Sequence, residues 1–414
     1  MKPRRLVLAV ALPAVALAAG VFAAMPGPRH HQQTSYGHEA DAGPLLLQPA
    51  FQHHGVSRPR RRAARHSQHN RHNSTKNGTN QATTLSTFAN VDYASGGYGQ
   101  YSSAALHSPW VQAVDINLNW RRLQLSPSSF DWAPLDSEAT AWANAGKHIV
   151  LVVRATDDIG GGCTAGPGQY LPGFVITDLH NALGSIGTFC DKGFNSLVPD
   201  WFSSTFQSDF KTFVSALGAH VSAQPYYSSI SYVRVGVGLG SEGWFLYPNQ
   251  SGYNADKSWM ETNWHYTPQA WANFQETMMA SYHAAFPPPV QVIYPISEQD
   301  DLSPGVPVDV AVAEWATNLG DVGVGQQCLT PGGIKNYADF PTIDSWVRAN
   351  HPNAYIQFQT CDPTATASEE QGIITAAEGY GAKSIEWYET TIVSPPSVSE
   401  MTSYQTWANN AFKG

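Results

Sequence analysis

Two carboxylates stand out in this chain, each at the end of an apolar run and each beside an aromatic ring. Glu242 closes the segment Ile230-Ser-Tyr-Val-Arg-Val-Gly-Val-Gly-Leu-Gly-Ser-Glu-Gly-Trp244, and Glu386 lies within Ala382-Lys-Ser-Ile-Glu-Trp-Tyr-Glu389. A single Glu at the carboxyl end of a barrel strand is a catalytic position. Two such groups facing each other across a cleft are what glycosidic bond cleavage requires: one protonates the leaving oxygen, and the other acts as nucleophile or as base for water. The flanking glycines and Trp244 favour a catalytic Glu242 over an exposed loop acid. Glu386 has two readings, the second catalytic carboxylate or a buried structural acid paired with Arg154 or Arg234.

Other residue types fit a sugar site. Amides at Gln326, Gln327, Gln357 and Gln359 sit on otherwise apolar runs. Alternation puts Gln357 and Gln359 on one face, where buried amides must find partners. Sugar hydroxyls would serve, and so would a closed internal network. Trp120, Trp244, Trp259, Trp264, Tyr247, Tyr253 and Tyr388 fall near strand ends or long loops, where a ring can stack on a sugar or simply fill the core. Asp157 and Asp158, and again Glu298, Asp300 and Asp301, form acidic groups with the oxygen ligands that Ca2+ prefers. Solvated loops are the simpler account, so no metal and no organic cofactor are expected.

These residues need a frame that brings distant segments to one opening. From residue 82 the sequence alternates strand and helix signals, the mark of a parallel sheet covered by helices. Strands are expected at 84–93, 111–120, 148–154, 231–238, 290–296, 322–329, 354–360 and 383–388. Helices are expected at 134–145, 202–221, 268–285, 308–319, 343–350 and 369–380, each with apolar residues three or four apart. Eight strands with intervening helices predict an α/β fold, a (β/α)8 barrel with long βα loops. An open doubly wound sheet is the rival, but no Gly-x-Gly-x-x-Gly turn follows a first strand. Four cysteines suit an oxidising compartment. Pairing Cys163 with Cys190 would close one loop, and pairing Cys328 with Cys361 would tie the ends of strands six and seven, which requires those strands to be barrel neighbours.

The segment Val114-Asp-Ile-Asn-Leu-Asn-Trp-Arg-Arg-Leu-Gln-Leu-Ser-Pro-Ser-Ser-Phe-Asp-Trp-Ala-Pro-Leu-Asp136 resembles the second-strand region of clan-A (β/α)8 glycoside hydrolases, in particular their β-galactosidase-like and cellulase-like members. Ala145-Gly-Lys-His-Ile-Val-Leu-Val-Val153 is similar to their third-strand segment. The resemblance implies that Glu242 is the acid/base after strand four, although Ser241 stands where the family has Asn. It also implies that Trp387 is the aromatic platform beneath the sugar. The family nucleophile belongs at the end of strand seven, where this chain reads Tyr355-Ile-Gln-Phe-Gln-Thr-Cys361 without a Glu. The second carboxylate then falls to Glu386, with Glu389 and Glu298 as the other candidates, or the protein binds glycans without cleaving them.

Charge separates the chain into two parts. Residues 1–80 hold 11 Lys or Arg against Glu39 and Asp41, while residues 81–414 hold 12 against 30, a formal −18. So acidic a surface excludes nucleic acid as a partner, because phosphate binding needs clustered cations. A neutral carbohydrate substrate remains. Residues 1–25 carry Lys2, Arg4 and Arg5 before an apolar run with small residues near its end, an export signal or an uncleaved membrane anchor. Residues 26–81 are rich in His, Arg and Gln with no apolar periodicity, and read as a disordered tether to the barrel at 82–414. The expected location is secreted or extracellular, with anchoring at the cell surface if the signal is retained. The oligomeric state is not legible.

Overall fold

A computed structural model describes residues 90–93, 103–156, 163, 170–193, 195–236, 238–247, 250–297, 300–302, 305–334, 339–364 and 366–411. The segments assigned above to export and to the tether lie outside these residues.

Eight strands pair in parallel and close on themselves. They are β1 (Asn90–Tyr93), β2 (Ala113–Asn119), β3 (His148–Arg154), β4 (Ile230–Arg234), β5 (Gln291–Ile296), β6 (Val322–Thr330), β7 (Ile356–Thr360) and β8 (Ser384–Tyr388). Each pairs with its successor, and β8 returns to β1 with Glu386 opposite Val91. The protein is therefore a (β/α)8 barrel, and each of the eight expected strands has an observed counterpart, residues 84–89 of the first lying outside the described residues. The fourth was expected to run to Gly238 but ends at Arg234. Beyond it the chain turns on Gly238 and Gly240, the latter at φ 64°, a left-handed conformation that glycine adopts without a Cβ penalty.

Strand alternation sorts side chains into two cores. Val114, Ile116, Leu118, Ile149, Leu151, Val153, Val292, Val324, Phe358 and Ile385 point outward and merge with the inner faces of the helices. Ala113, Val150, Val152, Tyr232, Ile293 and Tyr355 pack with one another inside the barrel. Gly325 leaves room in this lumen, since a Cβ there would lie 2.6 Å from Gln357 Oε1 and 2.7 Å from Ile293 Cγ2.

The covering helices are α1 (Ala133–Asn144), α2 (Gly173–Leu183), α3 (Ser204–Ser222), α4 (Tyr253–Asn263), α5 (Pro268–Ala285), α6 (Val308–Thr317), α7 (Phe340–Asn350), α8 (Ala367–Gly379) and α9 (Val398–Ala411). Their starts are set chemically. Thr267 caps α5 from its hydroxyl with Pro268 at the first position, and Thr366 and Glu369 cap α8 reciprocally. Helices α2, α4 and α9, and an antiparallel hairpin of Thr188–Asp191 with Ser196–Pro199, are additions that the periodicity did not announce.

Both expected disulfides are present, Cys163–Cys190 and Cys328–Cys361. The second joins the ends of β6 and β7, as neighbouring barrel strands require.

Candidate active site

The loop carrying Glu242 is held from several sides. Within it, the Gly238 N–H donates to the Glu242 carbonyl (3.0 Å) and the Leu239 N–H to that of Trp244 (2.7 Å). From just beyond β3, the Thr156 hydroxyl donates to the Gly238 carbonyl at 2.6 Å. The Gly243 N–H donates to Ser297 Oγ (3.1 Å), while its carbonyl accepts from Trp271 Nε1 and Gln275 Nε2 of α5, each at 3.2 Å. A Cβ on Gly243 would lie 2.6 Å from the Pro295 carbonyl. Glu242 is thus fixed at the strand ends, 7% exposed, with Gln327 of β6 donating its side-chain amide to Oε1.

Below it the lumen holds a charged cluster. Tyr232 Oη donates to Glu386 Oε1 at 2.9 Å, and Arg234 Nη1 to Oε2 at 2.7 Å. Arg234 also reaches Gln359 Oε1 at 3.5 Å and lies 3.8 Å from Asp115 Oδ2. Beside them Arg154 Nε donates to Asn117 Oδ1 at 2.7 Å. Glu386 and Asp115 are withdrawn from solvent, at 0% and 2% exposure.

The two guanidiniums do not offset the cost of burying Asp115 beside Glu386. Desolvation pushes Asp115 up to about 8, with the charge of Glu386 next in weight and that of Glu242 adding to it, against the opposing pull of Arg234 and Arg154. Asp115 is thereby shifted towards its protonated form. Burial disfavours the Arg234 cation, but Glu386, Asp115 and Glu242 outweigh that and hold its pKa above the ordinary arginine value. Burial, then the Glu386 charge, raises Tyr232 far above the usual tyrosine range, so its hydroxyl remains a donor.

The remaining sequence candidates divide. Gln359 joins the cluster through Arg234, and Gln357 lies buried on the same face of β7. Tyr388 is half-buried, donating to the Cys361 carbonyl at 3.3 Å, and Glu389 begins a short helix (Glu389–Ile392) just past β8. Trp244 is 7% exposed and meets Tyr247 edge-on at 5.2 Å. Trp120 and Trp387 are at 0% and belong to the core beneath the helices; Trp120 packs on Phe206, Phe210 and Phe213 of α3. Alternation on β8 places Trp387 on the face opposite Glu386. Trp259 and Trp264 pack on each other and on Phe189 of the hairpin. Glu298, Asp157 and Asp158 lie outside the described residues; Asp300 is held by Tyr266 Oη at 2.7 Å and Lys257 Nζ at 2.6 Å.

Asp115, Tyr232, Arg234 and Gln327 were not among the leading candidates. Their signal was polarity at inward positions of apolar strands, visible in Val114-Asp-Ile-Asn117 and Tyr232-Val-Arg234 once the period of two is applied.

Eight parallel strands, their helices and a carboxylate fixed over the strand ends define the class: a (β/α)8 barrel with a charged lumen. Among solved structures, the chain is similar to the catalytic domain of β-amylase from Paenibacillus polymyxa, with a TM-score of 0.54 and 13% identity over 79% of this chain and 99% of that one. It is also similar to the exo-β-1,4-mannosidase from Opitutaceae bacterium strain TAV5, with a TM-score of 0.42 and 12% identity over 79% of this chain and 60% of that one. No family model and no curated protein matches the chain. The first likeness extends over nearly all of the β-amylase domain, and what the two share is the fold.

Proposed function

We propose that the protein is an exported glycoside hydrolase in which Glu242 is the general acid and Glu386 the second carboxylate. The observation that carries this reading is the convergence of Glu242 and Glu386 on Arg234: one pairs with it directly and the other is near enough for its charge to act on it. An acid at the strand ends would protonate the glycosidic oxygen, and a carboxylate deeper in the same lumen would stabilise the positive charge that develops on the sugar. The barrel shared with a β-amylase catalytic domain supports the reading at the level of fold. Trp244, Tyr388, Gln357, Gln359 and Glu389 are proposed to bind the sugar. Trp120 and Trp387 keep that assignment only if a helix moves, since both rings are enclosed in the core.

Two disulfides support folding in an oxidising compartment, consistent with the charged and apolar pattern of residues 1–25 as an export segment and of residues 26–81 as a tether. Among the described residues, no helix is long and apolar enough to cross a membrane.

A second reading, a non-catalytic carbohydrate-binding protein on the same scaffold, is favoured by the closed Arg234–Glu386 pair and by the lack of a Glu at the end of strand seven, where the resemblance expects an acid. Release of reducing ends from a panel of polysaccharides separates the two. Turnover supports the hydrolase. Glycan binding without turnover on the whole panel supports the binding protein.

A further inference from the structure

Strand β6 carries one residue too many. Gln326 pairs with Phe358 and Leu329 with Thr360, so three steps on β6 face two on β7. This is a β-bulge, a device that re-aims a side chain at a strand end. The bulge contains Gln327 and Cys328, and Cys328 takes a left-handed φ of 69°, which a residue with a Cβ holds only where its surroundings impose it. Three contacts impose it here. The Cys328–Cys361 disulfide ties the bulge to the end of β7, the Cys361 N–H donates to the Leu329 carbonyl at 3.1 Å, and Gln326 Nε2 donates to the Gln327 carbonyl at 2.8 Å.

The side chain so aimed donates to Glu242. We propose that Gln327 is a positioning residue of Glu242, and that the Cys328–Cys361 bridge holds it there by fixing the bulge. The amide fixes one carboxylate oxygen and, as a donor, favours the charged form over the protonated one. The assignment rests on the proposed reading of Glu242 at this site; the amide orients the carboxyl group and does not itself favour the protonated form that proton delivery requires. The disulfide then has a task at the site as well as in stability, because removing it frees the peptide that carries Gln327 without touching Glu242.

The test follows the titration of Glu242 by NMR on the full chain labelled with 13C at the glutamate carboxyl, the Glu242 signal being assigned by its loss in Glu242→Gln. It needs no substrate. Gln327→Met, which keeps the length and loses the donor, is expected to raise the pKa of Glu242 by about one pH unit. Gln327→Asn, which keeps an amide one methylene too short, is expected to move it the same way, and it carries the test if the Met variant fails to fold. Cys328→Ala/Cys361→Ala is expected to reproduce the direction with Gln327 intact. A Glu242 titration unchanged in a folded Gln327 variant overturns the positioning role, and an unchanged titration in the folded double-cysteine variant overturns the role of the bridge. Reducing-end assays on the same proteins keep the two claims apart. A shifted titration with no turnover in the wild type would leave the positioning role standing and remove the hydrolase reading. Turnover with an unmoved titration would do the reverse.

Discussion

Arg234 and Glu386, 152 residues apart in the chain, meet at 2.7 Å inside the barrel, where both side chains are almost wholly removed from water. Burying two charges is costly unless each finds the other, and removing one partner strands the second. Arg234→Met is therefore expected to destabilise the fold by about 3–5 kcal/mol. The double variant Arg234→Met/Glu386→Leu should lose less than the sum of the two single variants. Denaturant unfolding of the four proteins measures the coupling; strictly additive losses would show that the pair does not act as a unit.

Asp115 makes the lumen sensitive to pH. Its pKa of about 8 in the folded protein lies above the ordinary aspartate value that it regains on unfolding. The folded state therefore binds more protons than the unfolded state between about pH 4 and pH 8, and over that window stability falls as pH rises. The loss is at most about 1.4 kcal/mol for each pH unit and ends above the folded pKa. Asp115→Asn, which mimics the protonated acid, should remove this dependence. The variant is expected to gain on the wild type steadily from pH 4 to pH 8 in denaturant midpoints taken across the range. Parallel curves would refute it.

Gly243 tests the rigidity of the loop beneath Glu242. Gly243→Ala places a methyl group 2.6 Å from the Pro295 carbonyl and 2.8 Å from Ser297 Oγ, so the turn has to shift. The expected cost is about 1–3 kcal/mol of stability, the usual range for overpacking. Displacing the acid should also lower turnover by about 100-fold, as misplacement of a reacting group by 1 Å commonly does. A variant with wild-type turnover would show that the loop tolerates movement.

Much of the frame was legible because parallel strands in a barrel read as short, nearly continuous apolar runs, and the helices between them as 3.6-residue periods. His148–Arg154 and Pro268–Ala285 were bounded to the residue. Helix α4 escaped because its sequence, Tyr-Asn-Ala-Asp-Lys-Ser-Trp-Met-Glu-Thr-Asn, is too polar to show a stripe. Of the site, Glu242 was legible from the glycines around it. The partners of Glu386 were only half legible, since Arg154 and Arg234 both end apolar strands, and the choice between them depends on barrel stagger. Trp120 and Trp387 illustrate the opposite limit: an aromatic residue at a strand end has the same sequence signature whether it faces the lumen or the helices.

The central claim is that Glu242 and Glu386 act on one glycosidic bond. The most direct measurement is reducing-end release from polysaccharides by the wild type, Glu242→Gln and Glu386→Gln, with glycan binding followed in parallel. The account predicts turnover by the wild type, a fall of about 100-fold or more in each folded variant, and binding retained in both. Wild-type turnover that survives in either folded variant would contradict it.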